Sequence, residues 1–307
     1  MKASRSIEAS CLVLVAVLVV GCHLAGTSIA GNTPDRAPAE GVGAGRGPLS
    51  LTVMTYNVMF DFPSAGFDPW TVRGPHEGDI VKAHRCDLVG LQEPFSWQVN
   101  QLHEFCPGFA DRHLRWYPDA TAFYRADRFD RTGGGHFWLS PSPGRMSRGF
   151  GNILPRLVVW LRLRDRASGK TFFWADTHFD NTSPFQETAA PLFLGKVREL
   201  AAGLPVVVTG DFNSPPGSQA YRILTNGAEP GGFKLLDAYD LAGKRETWNA
   251  PGDERPYDPA ERIDYVFVAN GKWACGRWVV DMTRYGDPPR DGSDHFAVAA
   301  DLTLQDQ

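Results

Sequence analysis

The sequence predicts one domain of mixed α/β (α+β) class that follows an N-terminal export segment. Short apolar runs rich in β-branched residues alternate with stretches of helical length and pattern along residues 49–307. A polar residue stands at the end of most of these runs, as in α/β proteins that meet their ligands at strand ends. With 307 residues, 43% of them hydrophobic and 21% charged, the chain has an ordinary globular composition.

The first 30 residues have the pattern of an export signal. Lys2 and Arg5 precede an apolar run over residues 11–20, which is too short to span a membrane as a helix. The run ends in Val19-Val20-Gly21-Cys22, which resembles the lipobox of bacterial lipoproteins, where the cysteine is lipidated after cleavage. Ser28-Ile29-Ala30 offers an ordinary cleavage site instead. We therefore expect an exported protein, either membrane-anchored through Cys22 or secreted or periplasmic.

Residues 31–48 are rich in Gly, Ala and Pro, and we expect a flexible tether there, followed by a single catalytic domain over residues 49–307. The net charge of −4 disfavours a broad basic surface for long nucleic acids. Three cysteines lie beyond the signal, and their spacing indicates neither a zinc site nor a disulfide framework. The disulfide state of Cys86, Cys106 and Cys275 stays open.

The first half of the domain begins with alternating strand and helix signals. Residues 51–56 alternate apolar and polar side chains and lead to Asn57. A segment broken by Pro and Gly follows, in which a short helix leading to Lys82-Ala83 is indicated. Residues 87–93 then predict a buried strand that ends in the carboxylate of Glu93. Residues 96–105 predict an amphipathic helix. Residues 119–124 and 135–139 are predicted to pair as strands around a Gly-rich turn.

The second half continues with paired strands. Residues 157–164 show the alternation of side chains that is typical of a half-exposed strand. Ser168-Gly169 predicts a turn, and residues 171–177 predict the hairpin partner of that strand, which ends at His178. Residues 187–202 predict a helix with Pro191 in or near its first turn. The remaining prediction is a short helix over 218–224, a long loop over 245–259 and strands over 263–268 and 296–302.

Residues 206–216 are the most informative stretch. Three valines predict a buried strand, Asp211 and Asn213 follow where it ends, and Pro215-Pro216 stops further regular structure. Two residues apart on an extended segment, Asp211 and Asn213 share one face and can hold a hard cation, a phosphate oxygen or an attacking water. An Asx turn that closes the strand explains this stretch equally well when it is taken alone.

Eight polar residues of the chain lie at or beside the end of a predicted apolar strand. Together they predict one site. The set is rich in carboxylate and amide oxygen and lacks cysteine, which suits Mg²⁺, Mn²⁺ or Ca²⁺ better than zinc. Its two histidines can transfer protons near neutral pH. The chain has no GxSxG elbow and no Gly-rich nucleotide loop, so metal-assisted attack of water on a phosphate ester fits best. The eight are Asn57, Glu93, His178, Asp211, Asn213, Asp264, Asp294 and His295.

Six short motifs over residues 50–304 resemble the endonuclease/exonuclease/phosphatase superfamily in the expected order. They are Thr55-Tyr56-Asn57, Gly90-Leu91-Gln92-Glu93, Thr177-His178-Phe179-Asp180, Gly210-Asp211-Phe212-Asn213, Arg262-Ile263-Asp264-Tyr265 and Ser293-Asp294-His295. Three further segments, Phe123-Tyr124-Arg125, Phe137-Trp138-Leu139-Ser140 and Pro155-Arg156, resemble its secreted bacterial, deadenylase-like branch. The resemblance implies a four-layered sandwich, in which two mixed β-sheets pack face to face with helices on the outside.

The resemblance also implies a role for each matching residue. Glu93 would be the main ligand of Mg²⁺ or Mn²⁺, with Asn57 beside it and Asp294 completing the shell. His295 would be the general base that activates water, and Asp264 would orient it.

At the phosphate, the resemblance implies that His178 and Asn213 bind the scissile group and that Asp211 positions the water or the leaving group. Many relatives continue the His-x-Asp motif with a basic residue, whereas residues 181–186 intervene here without one. This departure affects the rim, so it leaves the substrate open. Candidates for substrate contact, each with a solvated arginine or a packed tryptophan as the alternative, are Arg73, Arg145, Arg148 and Trp248.

The resulting prediction is an exported, divalent-metal-dependent phosphodiesterase acting on a short nucleic acid, a phospholipid head group or a small phosphodiester. A phosphomonoesterase of sugar or inositol phosphates at the same site is the alternative, and the number of metal ions stays open. A catalytically inactive surface binding module would have lost Glu93, Asp211, Asp264 or His295, and all four are present. No protein partner is predicted.

Overall fold

The computed structural model describes residues 47–62, 66–229, 231–250 and 252–305. The predicted export signal, Cys22 and nearly all of the predicted tether lie outside the described residues. Within the described part, the chain forms thirteen strands and five helices. No helix there is long and apolar enough to cross a membrane.

One mixed sheet has seven strands: β1 (Leu49–Asn57), β2 (Leu88–Gln92), β3 (Phe109–Leu114), β4 (Tyr117–Arg125), β10 (Ala242–Trp248), β12 (Trp273–Asp281) and β13 (Ala297–Leu304). Their order across the sheet is β10-β12-β13-β1-β2-β4-β3. The central strands β1 and β2 are parallel, whereas β4 runs antiparallel to β2. Helices α1 (Trp70–Ala83) and α2 (Ser96–Phe105) pack on its outer face through Ile80, Val81 and Leu102.

The other mixed sheet has six strands: β5 (Phe129–Trp138), β6 (Leu157–Asp165), β7 (Thr171–His178), β8 (Val206–Asp211), β9 (Leu236–Asp237) and β11 (Asp264–Ala269). Their order is β5-β6-β7-β8-β11-β9, and the central strands β7 and β8 are again parallel. Helices α3 (Phe185–Ala201) and α4 (Gln219–Asn226) cover its outer face, and the short α5 (Ala238–Leu241) leads into β10. The predicted four-layered sandwich is confirmed.

Alternation along each strand produces the layers, because successive side chains point to opposite faces. On β6, Leu157, Val159, Leu161 and Leu163 fill the core between the sheets, while Val158 faces the layer under α3. On β8, Val207 faces the inter-sheet core and its neighbours Val206 and Val208 face the helices. Strands buried on both faces therefore read as continuous apolar runs in the sequence.

The prediction that residues 119–124 and 135–139 pair as strands is wrong. The first segment belongs to β4, which pairs with β2 and β3, and the second belongs to β5, which pairs with β6 in the opposite sheet. Gly133, Gly134 and Gly135 lie inside β5 beside a β-bulge rather than in a turn. Glycine at a bulge or a close backbone approach gives the same local signal as a turn.

A polar layer joins the two sheets directly beneath the strand ends. The carboxylate of Asp176 on β7 accepts hydrogen bonds from Gln92 Nε2 and Thr209 Oγ1, both at 2.7 Å. Gln92 Oε1 in turn accepts from Thr55 Oγ1 at 3.3 Å. Burial raises the pKa of Asp176 well above its usual value, although its hydrogen bonds oppose the shift. Gly90 leaves room for this layer, since a Cβ there would lie 2.1 Å from Asp176 Oδ1.

Candidate active site

The ends of five strands bring the predicted site residues to one edge of the sandwich. In the seven-stranded sheet, Asn57 ends β1 and Glu93 directly follows β2. In the six-stranded sheet, His178 and Asp211 end β7 and β8 side by side, and Asp264 begins β11 opposite Asp211. The loop before β13 delivers His295 to the same edge. Hydrogen bonds then connect these groups across the two sheets.

Asp211 is the centre of the cluster and is 1% exposed. Its Oδ2 accepts a hydrogen bond from Asn57 Nδ2 at 3.2 Å. The same oxygen lies 3.4 Å from His178 Nε2 and 3.7 Å from His295 Nε2. Its Oδ1 accepts from the backbone N–H of Asn213 at 2.9 Å. One carboxylate therefore touches both histidines and the opposite sheet.

Glu93 faces this centre from a strained turn, with a φ of 64°. Its Oε1 accepts from Asn57 Nδ2 at 3.2 Å and lies 3.9 Å from His178 Nε2. Burial raises the pKa of Glu93; nearby His178 opposes this shift and Asp294 adds to it. A half-buried carboxylate of this kind is stabilised in its charged form by a cation.

The amide of Asn57 has a different orientation from the one its predicted ligand role requires. Its Oδ1 accepts the Met59 N–H at 3.0 Å, so its Nδ2 points to the carboxylates of Glu93 and Asp211. In this orientation Asn57 holds the two carboxylates together rather than offering its oxygen to a metal ion.

His295 and Asp264 form a hydrogen-bonded pair, with Nδ1 and Oδ2 2.8 Å apart. Burial raises the pKa of Asp264 to about 6, an effect that the neighbouring His295 opposes. The pKa of His295 lies well above its usual value, because Asp264 and Asp211 outweigh the opposing effect of burial. Ser293 supports the loop: its Oγ donates to Asn57 O at 2.6 Å and accepts the His295 N–H at 3.2 Å.

Two residues that were not predicted as site residues contact the Nδ1 side of the His178 ring. Asp119 Oδ1 lies 3.0 Å and Arg156 Nη1 lies 2.9 Å from His178 Nδ1. Arg156 also donates to both oxygens of Asp119 and to Asp180 Oδ2. Burial and Arg156 oppose a charge on His178, but Asp119 and Asp211 outweigh them and raise its pKa.

Both residues lie at the amino end of a strand, as Asp264 also does. Asp119 is near the start of β4, which is antiparallel to β2, and Arg156 precedes β6, which is antiparallel to β7. An antiparallel strand starts at the edge where its neighbour ends. Searching the amino end of every predicted strand would have included Asp119.

Asn213 and Asp294 flank the centre. Asn213 has a φ of 47°, and its Nδ2 donates to Phe179 O at 2.8 Å, which fixes its side chain beside the His178 strand. Asp294 is exposed, and its Oδ1 accepts from Ser293 Oγ at 3.4 Å. Its charge contributes to the raised pKa of Glu93, which places both carboxylates in one electrostatic environment.

One of the four predicted substrate contacts, Arg73, is wrong. Arg73 is completely buried, and its guanidinium donates to three backbone carbonyls inside the protein. Trp248 packs at the sheet edge, stacked on His84 with a ring separation of 4.1 Å. Arg145 and Arg148 are exposed in the loop between β5 and β6 that ends at Arg156, so they remain candidates for the rim.

The donor set fits a hard divalent cation. Atoms of Asp211, Asp264 and His295 lie within 4.8 Å of one another, but His295 and Asp264 already bind each other directly. The neighbouring carboxylates that could hold such an ion are therefore those of Glu93, Asp294 and Asp211. Six acidic residues, counting Asp119 and Asp180, face two histidines and one arginine here, and Mg²⁺ or Mn²⁺ would offset that excess of negative charge.

Known proteins share the sequence pattern and the fold of this chain. The sequence profile described as the Endonuclease/Exonuclease/phosphatase family matches residues 54–295. A family protein of that description from Bacteroides thetaiotaomicron is 29% identical, with a TM-score of 0.76, over 85% of this chain and 100% of its own. A mannosyl-6-phosphatase from the same organism is 30% identical, with a TM-score of 0.73, over 82% of this chain and 99% of its own.

The catalytic domain of human nocturnin, solved with a bound sulfate, shares the fold at 17% identity and a TM-score of 0.62, over 85% of this chain and 96% of its own. No curated protein sequence matches the chain.

Proposed function

The chain belongs to the endonuclease/exonuclease/phosphatase family of phosphoester hydrolases, and on this premise we propose that it hydrolyses a sugar phosphate, with Mg²⁺ or Mn²⁺ as cofactor. The observation that carries the proposal is the convergence of His178 and the His295–Asp264 pair on Asp211, with Glu93 beside His178. This convergence supplies a base, a carboxylate site for a cation and a positive group for phosphate.

In the proposed reaction His295 is the general base. Its Nδ1 is occupied by Asp264, so its Nε2 is the nitrogen available to take a proton from water. Asp211 Oδ2, 3.7 Å from that nitrogen, is positioned to hold the water between the two side chains. Asp264 sets the ring orientation and stabilises the imidazolium that forms.

His178 and Asn213 are proposed to bind the phosphate oxygens. Arg156 donates to Asp119, and both contact His178 Nδ1, so the ring is fixed with its Nε2 towards Asp211 and Glu93. A positive group fixed in advance stabilises the charge that develops on the phosphate without reorganisation. When bound at Glu93, the cation would neutralise phosphate charge as a Lewis acid.

The substrate class rests on the similarity to the mannosyl-6-phosphatase, which at 30% identity covers 82% of this chain. That relative supports a phosphomonoester of a sugar, which was the alternative in the sequence-based prediction. The phosphodiesterase reading is the second candidate, because exposed Arg145 and Arg148 on the β5–β6 loop offer positive charge for a longer substrate. Export and a tether through Cys22 stay predictions.

The test is an activity panel on purified protein lacking residues 1–30. The substrates are mannose 6-phosphate, p-nitrophenyl phosphate, bis(p-nitrophenyl) phosphate, and single-stranded DNA and RNA, each with Mg²⁺, Mn²⁺ or EDTA. We expect monoester hydrolysis that is abolished by EDTA and by His295→Ala, and retained by His136→Ala, which changes an exposed histidine on β5. Preferred cleavage of the diesters would favour the second candidate function, a phosphodiesterase, over the sugar phosphatase. Hydrolysis that survives His295→Ala would refute the site.

A further inference from the structure

The guanidinium of Arg73 is buried on the inner face of α1, close to the site but without access to substrate. Arg73 is 0% exposed and lies over the ring of Trp70, 4.9 Å from its centroid. Among the described residues no carboxylate lies within ion-pairing distance of it, and its bonds go to backbone carbonyls. Burying an arginine in this way is costly, so the groups that it joins are informative.

Two of the carbonyls belong to the segment that follows Asn57. Arg73 Nη1 donates to Val58 O at 2.5 Å, and Nη2 donates to Met59 O at 2.6 Å. The Met59 N–H in turn donates to Asn57 Oδ1, the contact that orients the Asn57 amide towards Glu93 and Asp211. Arg73 therefore fixes the turn that sets the position of Asn57.

The third carbonyl belongs to the loop that carries the proposed base. Arg73 Nη1 also donates to Gly292 O at 3.1 Å, three residues before His295. The next residue, Ser293, is bonded to Asn57 O and to the His295 N–H. Arg73 Nη1 thus joins Val58, which follows β1, to Gly292, which precedes β13. This link runs beside the hydrogen bond between Asn57 and Ser293, which are the neighbouring residues in the two segments.

The Gly292 loop rests directly on α1. A Cβ at Gly292 would lie 2.2 Å from Glu77 Oε1, and Glu77 is buried one helical turn after Arg73. The loop therefore packs against the side of α1 that carries Arg73 and Glu77. A shift of the helix face would be transmitted to the loop.

From these contacts we propose that Arg73 is a positioning residue, which keeps the Asn57 segment and the Gly292–His295 loop in register so that His295 faces Asp211. The inference rests on the proposed function, since it assigns Arg73 to the support of the same site. It replaces the predicted substrate contact of Arg73 with a structural link between two site-bearing loops.

Arg73→Gln in the full chain tests the proposal against Arg128→Gln. Arg128 is a matched control because it joins Asp87, Asp165 and Ser50 O at the opposite end of the strands. Misplacing catalytic groups by about 1 Å costs on the order of 10²-fold in rate. We expect Arg73→Gln to lower kcat by about 10²-fold with little change in KM, and Arg128→Gln to lower Tm while kcat stays within about twofold of wild type. Arg73→Lys, which keeps the charge but not the planar fork, should fall between.

Backbone hydrogen exchange provides a readout that does not need activity. Arg73→Gln should speed exchange at residues 58–60 and 292–296, whereas Arg128→Gln should not. If Arg73→Gln loses no more kcat than Arg128→Gln and leaves exchange in both segments unchanged, the proposal is overturned. If Arg73→Gln does not fold, the same comparison with Arg73→Lys decides. If wild type hydrolyses no phosphate ester, the proposed function fails, and the exchange result alone supports or overturns the role of Arg73.

Discussion

His295 and Asp264 meet across the two sheets, with His295 Nδ1 2.8 Å from Asp264 Oδ2. His295 lies just before β13 in the seven-stranded sheet, whereas Asp264 is the first residue of β11 in the six-stranded sheet. The pair therefore exists only when both sheets are packed in the observed register. This makes the proposed base a sensitive reporter of the packing between the sheets.

Replacing the base should remove most of the activity. General-base catalysis contributes about 10²–10⁴-fold, so we expect His295→Ala to lower kcat within that range. Asp264→Asn should cost less, because it keeps the shape of the orienting group while removing its charge. Steady-state kinetics on p-nitrophenyl phosphate would measure both. Equal kcat for His295→Ala and for His136→Ala would contradict the assignment.

In the pH profile of activity, the midpoint of the acid limb should lie above the usual pKa of histidine. The pKa of His295 is raised by Asp264 and Asp211, and a protonated imidazole cannot act as a base. Activity should therefore be low below that pKa and rise as the pH passes through it, with a midpoint above 6.5. Asp264→Asn removes one of the two carboxylates, so its midpoint should move to lower pH. Profiles of kcat/KM at saturating Mg²⁺ would check this, and a midpoint that moves to higher pH would contradict it.

Glu93 should control metal affinity. Glu93→Gln removes the charge but keeps the size, and we expect Mn²⁺ binding to weaken by about 10²-fold because the carboxylate provides the main attraction. Glu229→Gln, at an exposed position, is the control. Titration calorimetry with Mn²⁺ would measure both affinities. Unchanged binding in Glu93→Gln would place the cation elsewhere in the cluster.

Stability should fall with rising pH because of Glu77. Burial raises the pKa of Glu77 from 4.5 to about 7, although Tyr56 and Arg73 oppose the shift. The folded state then binds more protons than the unfolded state between these values, so the free energy of unfolding falls as pH rises through this window. The loss amounts to about 3 kcal/mol. It is complete above the folded-state pKa.

Glu77→Gln should not show this loss. Its free energy of unfolding relative to wild type should therefore increase between pH 5 and pH 8, as measured by urea denaturation at each pH. Glu104→Gln, an exposed change on α2, should show no such trend. A relative stability that is independent of pH would show that Glu77 titrates normally.

Gly90→Ala should destabilise the polar layer beneath the site. The added Cβ would lie 2.1 Å from both Asp176 Oδ1 and Thr209 Oγ1, so these groups must separate or the sheets must move apart. We expect a loss of about 3 kcal/mol in the free energy of unfolding. Gly195→Ala is the opposite case, because α3 has open space there and alanine favours a helix by up to about 1 kcal/mol. A stable Gly90→Ala variant would contradict the tight fit.

The fold could be predicted from local signals wherever a strand is buried. Val206–Asp211 and Asp264–Ala269 carry dense β-branched or aromatic runs, and both were found with nearly correct bounds. Residues 245–248 of β10 were predicted as loop because this edge strand is largely exposed and has little apolar alternation. The pairing of β5 with β6 rather than with β4 depends on contacts far apart in sequence, which a local pattern does not contain.

The site could be predicted where a polar residue stands at either end of a clear apolar run: Glu93, His178 and Asp211 follow such runs, and His295 precedes one. Asp119 and Arg156 were missed because their role depends on contact with His178, which lies 59 and 22 residues away in the sequence. Arg73 looked like a rim arginine because nothing in the sequence tells which face of α1 packs inward. The interrupting Gly74-Pro75 also obscured the first turns of α1, so that only a short helix leading to Lys82-Ala83 was indicated.

The course of β1 places the entry of the chain into the domain far from the catalytic edge. Leu49 and Asn57 lie eight residues apart along an extended strand, a distance of about 26 Å. The chain thus enters the domain at the end opposite the catalytic edge. The sequence leaves open whether the protein is anchored at Cys22 or cleaved after Ala30, and neither alternative requires the N-terminal segment to pass over the site.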